Sequence, residues 1–135
     1  MKTAIPVVLA LAFLVGGCQT MKEAPQMATL SVAFDWKDTT ACSRIPPAFT
    51  IGGVPAGTAE LSFWMTDLDS PAYTHGGGEV AYAGSGTIPA GAFDYIGPCP
   101  PTGFRHRYEF AVKAIDKAGN TILGRGSAMR EFPPR

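Results

Sequence analysis

Two stretches of the chain alternate apolar and polar residues with period two. From His106 onward, His106, Tyr108, Phe110, Val112 and Ala114 share one side and Arg107, Glu109, Ala111 and Lys113 the other. That alternation predicts a strand with one face in a core. Leu61, Phe63 and Met65 share a side in the same way. Asp67 continues that side, Asp69 follows if the chain stays extended, and Pro71 ends the run. If the two strands pair antiparallel, the end of one lies beside the start of the other. Asp67, Asp69 and His106 then meet at one end of a sheet. Leu30, Val32, Phe34 and Trp36 predict a third strand over Thr29 to Trp36. Shorter strands are expected around Phe49 to Ile51 and over Glu79 to Ala83, with a hairpin-like turn at Lys117 to Asn120 and an extended run from Thr121. The segment Gly124 to Phe132 reads equally as a helical turn or a strand. With many turn signals and few helical runs, the fold class is all-β.

Some segments lack periodicity. Gln19 to Met27 is polar and contains Pro25, so it reads as a tether. Gly76, Gly77 and Gly78 predict a flexible loop or hairpin. As a phosphate cradle they lack the Lys-Ser or Lys-Thr and the helix that would follow. From Gly97 to Gly103, three prolines and two glycines exclude regular structure. A rigid loop therefore delivers His106 to the mouth of its strand.

The chain has 135 residues and a formal net charge of zero. That is enough for one core, and it gives no argument for nucleic acid as a partner. The N-terminus changes the picture. Lys2 precedes an apolar run from Ala4 to Val15, too short for a bilayer-spanning helix and suited to a secretory signal. Leu14-Val15-Gly16-Gly17-Cys18 resembles the bacterial lipoprotein box. The expected organisation is a signal peptide over 1–17, a lipidated Cys18 with tether over 18–28, and a domain over 29–135. Acyl chains on Cys18 would anchor the domain at a membrane. Gln19 after the cysteine suits the periplasmic face of the outer membrane in a Gram-negative cell envelope. In an exported chain the remaining pair, Cys42 and Cys99, suggests a disulfide, with two separate buried thiols as the alternative.

Several motifs carry a family resemblance. Asp67-Leu68-Asp69-Ser70-Pro71 is similar to an Asp-Pro-Asp-Ala-Pro signature at a strand end. The segment Gly97-Pro98-Cys99-Pro100-Pro101-Thr102-Gly103-Phe104-Arg105-His106-Arg107-Tyr108-Glu109-Phe110 resembles Gly-Pro-x-Pro-Pro-x-Gly-x-His-Arg-Tyr-x-Phe, with one extra residue before the histidine. Gly53-Val54-Pro55-Ala56-Gly57-Thr58 resembles the turn ahead of the first signature. Together these resemble the phosphatidylethanolamine-binding protein family, also called the Raf kinase inhibitor protein family.

The resemblance implies an antiparallel β-sandwich with Greek-key-like connections and a small pocket for phosphate-like or carboxylate groups, including phospholipid head groups. It implies Asp67, Asp69, Pro71, Gly97, Pro98, His106 and Tyr108 as ligand-binding residues. His75 is the only candidate for a further pocket histidine, although Gly76 stands where the family has tryptophan. Arg107 points away from His106 by alternation and suits a salt bridge. No cofactor or metal is expected, because the spacing of the Asp and His residues matches no metal motif. No Ser or Cys has a context that suggests activation, so the expected protein is not an enzyme. It would be a lipid-anchored envelope protein binding a small anion or phospholipid head group, with a possible envelope protein partner. The alternatives are an interaction module such as a peptidase inhibitor with a vestigial pocket, or a small hydrolase.

Overall fold

The computed structural model describes residues 20–135. The expected signal peptide over 1–17 and the expected lipidation of Cys18 fall on residues outside the described ones. Eight strands form: β1 (Lys22–Thr29), β2 (Ser31–Phe34), β3 (Phe49–Gly52), β4 (Thr58–Asp67), β5 (Thr74–Ala81), β6 (Thr87–Ile88), β7 (His106–Asp116) and β8 (Thr121–Phe132). They make a five-stranded sheet in the order β1-β8-β7-β4-β5 and a three-stranded sheet in the order β2-β3-β6. The fold is all-β.

The two period-two stretches become the adjacent inner strands β4 and β7. They pair antiparallel, with Phe63 opposite Val112, Met65 opposite Phe110 and Asp67 opposite Tyr108. Leu61, Phe63, Met65, Tyr108, Phe110, Val112 and Ala114 are all buried. Facing them from the small sheet are Phe34, Phe49, Ile51 and Ile88. Rings interlock across the gap: Phe49 lies 4.9 Å from Phe63 and 4.8 Å from Phe110, and Phe34 lies 5.1 Å from Phe110. Edge-to-face and offset contacts at these separations add to the burial of apolar area. One continuous core therefore backs the strands whose ends carry Asp67 and His106.

Three expectations change. The first concerns the tether, because Lys22–Thr29 forms β1, parallel to β8 from Lys22 opposite Thr121 to Thr29 opposite Arg125. This edge strand is exposed along most of its length. It is held by backbone pairing and a Glu23–Arg125 ion pair of 2.6 Å, so it shows no apolar alternation. Pro25 is compatible with an edge position. The sheet is therefore mixed rather than purely antiparallel.

The second change is within Thr29 to Trp36. Leu30, Phe34 and Trp36 are buried as the alternation predicts, but the chain leaves β1 at Thr29 and crosses to the second sheet as β2.

The third is the glycine run, which is part of β5. Gly77 sits opposite Trp64 and Gly78 opposite Phe63. A Cβ on Gly77 would collide with the Phe63 carbonyl, and one on Gly78 would meet the Phe93 side chain at 2.5 Å. The glycines serve close packing here rather than flexibility.

Gly124 to Phe132 resolves as strand within β8. The β7–β8 turn is closed by Asp116, whose Oδ1 accepts from the N–H of Asn120 at 3.1 Å and of Thr121 at 3.0 Å.

Candidate functional site

Asp67 is the last residue of β4 and keeps the inward side of that strand, with 3 % exposure. The strand stops there because the side chain caps its own turn. Asp67 Oδ1 accepts from the N–H of Asp69 at 2.9 Å and of Ser70 at 3.0 Å. Short Asp side chains commonly divert a chain from extended structure in this way. His106 enters at the first position of β7, next to Tyr108 on the inward side. Its Nδ1 donates to Asp67 Oδ2 at 2.7 Å. His75, on β5, is 2 % exposed. Its Nδ1 donates to the Ile96 carbonyl at 2.7 Å, and its Nε2 lies 4.0 Å from Asp67 Oδ2. Two imidazoles thus flank one carboxylate oxygen.

These three side chains line a cavity of about 230 Å³, together with Ser70, Tyr73, Cys99 and Pro101. His75 is packed edge-on against Tyr108, with ring centroids 5.4 Å apart, and against Tyr73 at 4.7 Å. Tyr108 is fully buried below His106, and its hydroxyl lies near Asp67 without a hydrogen bond of good geometry. The Nε2 of His75 is likewise buried and unpartnered. Polar atoms left in this state cost free energy unless a water or ligand satisfies them.

A larger groove of about 570 Å³ lies elsewhere, beside Asp35, Lys37, Asp38 and Ile45. It contains neither histidine. The smaller cavity holds the convergent titratable groups, which is the stronger mark of a functional site.

The other expected site residues fall around the cavity rather than in it. Asp69 turns outward, because the Asp67-capped turn breaks the extended path. Arg107 binds it through Nη2 to Oδ1 at 2.7 Å, and the Arg107 N–H donates to Asp69 Oδ2 at 2.7 Å. Arg107 therefore makes the ion pair that its alternation suggested, with Asp69 as the partner. Pro71 is exposed in the turn beyond, and Gly97 and Pro98 are buried in the loop behind the cavity wall. Cys42 and Cys99 form a disulfide, flanked by backbone bonds from Cys42 N–H to the Pro98 carbonyl and from Gly97 N–H to the Ser43 carbonyl, both 2.8 Å.

Ser70, Tyr73, Cys99 and Pro101 also line the cavity, a role that the sequence reading did not give them. Tyr73 had a signal, since it stands two residues before His75. The Ile96 carbonyl had none, because a backbone acceptor leaves no mark in a sequence.

Charge in the site is set by these contacts. Burial pushes the Asp67 carboxyl up, but the His106 hydrogen bond and the Asp69 and Ser70 N–H groups more than offset this and hold it below its ordinary value. Asp69 is lowered from 3.8 to about 2, first by the Arg107 side-chain hydrogen bonds and then by the Arg107 N–H. Burial, then the Asp67 charge, pushes the Tyr108 phenol up. Among the described residues, no group of three or more His, Cys, Asp or Glu side chains is arranged to hold a metal ion.

A pH prediction follows from the lowered carboxyls. A group whose folded pKa is depressed contributes stability above its unfolded value, and loses it as pH falls through the folded one. The Asp69–Arg107 contribution is therefore complete above 3.8 and disappears on acidification through about 2. Urea midpoints measured through this window should fall with pH, and Asp69→Asn should flatten the fall. Parallel curves for the two proteins would show that the pair contributes nothing.

No protein-family model and no curated protein matches the sequence. Solved structures do. A crystal structure of a phosphatidylethanolamine-binding protein homolog, CT736, from Chlamydia trachomatis superposes with a TM-score of 0.57 at 17 % identity, covering 81 % of this chain and 99 % of that one. The chain therefore has a phosphatidylethanolamine-binding-protein-like fold.

Proposed function

We propose that this chain is a binding protein whose cavity at Asp67, His75 and His106 accepts a small anion or a phospholipid head group. The observation that carries the reading is the pair of imidazoles around Asp67 Oδ2, one at the cavity mouth and one buried with an unpartnered Nε2. A protonated imidazole is a strong donor to phosphate and carboxylate oxygens. The fold shared with a phosphatidylethanolamine-binding protein homolog supports the same reading. Binding rather than turnover is favoured because Cys99, the thiol-bearing residue at the cavity, is committed to a disulfide.

We further propose that the chain works in a bacterial envelope, anchored through acyl chains on Cys18, with the cavity available to head groups or small solutes. The lipoprotein-box resemblance of Leu14 to Cys18 supports that placement. An envelope protein partner is the outcome to pursue if no small ligand binds.

Thermal unfolding of the purified chain, titrated with phosphate, phosphoethanolamine and acetate beside His106→Ala, tests the reading. A ligand at one hundred times its Kd stabilises by about 2.7 kcal/mol. A saturating rise in Tm that is lost in folded His106→Ala is the expected result. A flat response in both proteins would discard the small-anion reading and leave the protein-interaction module. Turnover of a phosphoester, lost in Asp67→Asn and His106→Ala, would instead establish the hydrolase.

A further inference from the structure

Neither imidazole in the cavity can choose its tautomer freely. His106 Nδ1 is 2.7 Å from the Asp67 carboxylate, and His75 Nδ1 is 2.7 Å from the Ile96 carbonyl. An ionised carboxylate and a backbone carbonyl only accept, so both Nδ1 atoms carry protons. In the neutral rings each Nε2 is then a lone pair. His75 Nε2 faces Asp67 Oδ2 across 4.0 Å, acceptor to acceptor, with no other partner. A cavity with Asp67 ionised and both rings neutral holds one negative charge and offers no ring donor. In that state it repels an oxyanion.

We propose, building on the anion-binding reading above, that the cavity takes up its oxyanion together with one or two protons, which enter at Nε2 of His106 and His75. Protonation of His106 supplies a donor at the cavity mouth. Protonation of His75 turns its contact with Asp67 from repulsive to attractive and satisfies a buried nitrogen. The ligand class is a small phosphate or carboxylate that is held more tightly in a mildly acidic medium and released as the pH rises.

The surroundings leave these rings as the proton acceptors. Asp67 on β4 faces both of them and is kept ionised by its three donors. Tyr108 on β7 lies beneath His106, with ring centroids 6.3 Å apart, and Tyr73 flanks His75. Opposite His106 on β8 stands Phe132. Asp69 and Arg107 neutralise each other outside the cavity, and Arg105 pairs with Glu131 at 3.6 Å. Imidazole is the side chain suited to exchange a proton near neutral pH.

Calorimetric titration of the full chain with sulfate, in paired buffers of different ionisation heat, tests the proposal. Sulfate keeps its charge between about pH 6 and about pH 8, so any proton uptake belongs to the protein. The Kd should rise by up to about tenfold per pH unit for each proton taken up, and the observed heat should vary with the buffer. His106→Gln, which keeps an amide donor but cannot titrate, should lose about one proton of uptake.

Sulfate binding with a constant Kd and buffer-independent heat would overturn the proton coupling and leave the anion pocket standing. Full uptake retained in both His106→Gln and His75→Gln would overturn its assignment to the imidazoles. If His75→Gln does not fold, the His106→Gln result decides. No binding of sulfate, phosphate or phosphoethanolamine at any pH would remove the anion reading, and this proposal with it.

Discussion

Phe110→Ala should cost the domain about 3–5 kcal/mol, the largest effect expected of a single substitution here. Phe110 is fully buried, and its ring meets Phe34, Trp36, Phe49, Phe93 and Tyr95 at centroid separations between 4.8 and 6.4 Å. These partners come from the small sheet and the residues just after β2, and from the segment leading into the proline loop. Truncation removes the transfer free energy of the ring and leaves a cavity that they cannot collapse into together. With total stabilities of about 5–15 kcal/mol for ordinary domains, the variant sits close to unfolding.

The site should suffer too. Phe110, Tyr108 and His106 are successive inward positions of β7, so the ring that packs the core also sets the height of the imidazole at the cavity. Urea unfolding of the wild type, Phe110→Leu and Phe110→Ala measures this, with the leucine variant falling between the other two. A loss below about 1 kcal/mol for alanine, the range of an unremarkable surface change or a well-repacked swap, would mean that the two sheets do not meet through this ring.

Loss of the Cys42–Cys99 disulfide should be the second large effect. The bond joins residues 57 apart in sequence. Closing a loop of that length stabilises by about 4 kcal/mol in the chain-entropy model, and removal of native disulfides from small secreted domains typically costs about 2–5 kcal/mol. A Cys42→Ala/Cys99→Ala variant should therefore unfold at a clearly lower urea concentration than the oxidised protein, with a thiol reductant lowering the wild type to the same level.

The consequence for function comes through position. Cys99 lines the cavity, and Cys42 adopts a φ of 60°, a region that residues other than glycine seldom enter. The bond and its two flanking backbone hydrogen bonds fix the loop from Gly97 to Gly103 against the segment around Ser43. Anion affinity should fall along with stability. If the double variant keeps the wild-type midpoint, the backbone bonds alone hold that wall.

What the sequence shows and what it hides divide along a physical line. Residues that alternate between core and solvent betray themselves, because burial selects apolar side chains at every second position. Leu61, Phe63 and Met65, and Tyr108, Phe110 and Val112, are legible for this reason, whereas the meeting of Asp67 with His106 follows only once the two strands pair antiparallel, as they do. The polar edge strand Lys22–Thr29 is not legible, since backbone pairing demands no side-chain pattern. Nor is the role of Gly77 and Gly78, whose absent Cβ atoms matter only because Phe63 and Phe93 press against them.

The motif residues show the same limit. The sequence placed Asp67 and Asp69 on one line, two residues apart. The tertiary structure separates them, because Asp67 captures the N–H groups of Asp69 and Ser70 and bends the chain, handing Asp69 to Arg107 on the outside. His75 stands just past the first signature, on the next strand, and far in sequence from the second. It joins the site only because β5 pairs with β4 and the Ile96 carbonyl fixes its ring.

By itself, then, the sequence determined an all-β chain with Asp67 at the end of one half-buried strand and His106 at the start of another. Which polar groups share the cavity, and which nitrogen of each ring is left to meet a ligand, was decided by the tertiary structure. Hydrogen bonds to backbone atoms and the course of a turn are properties of three-dimensional placement, and no periodicity encodes them.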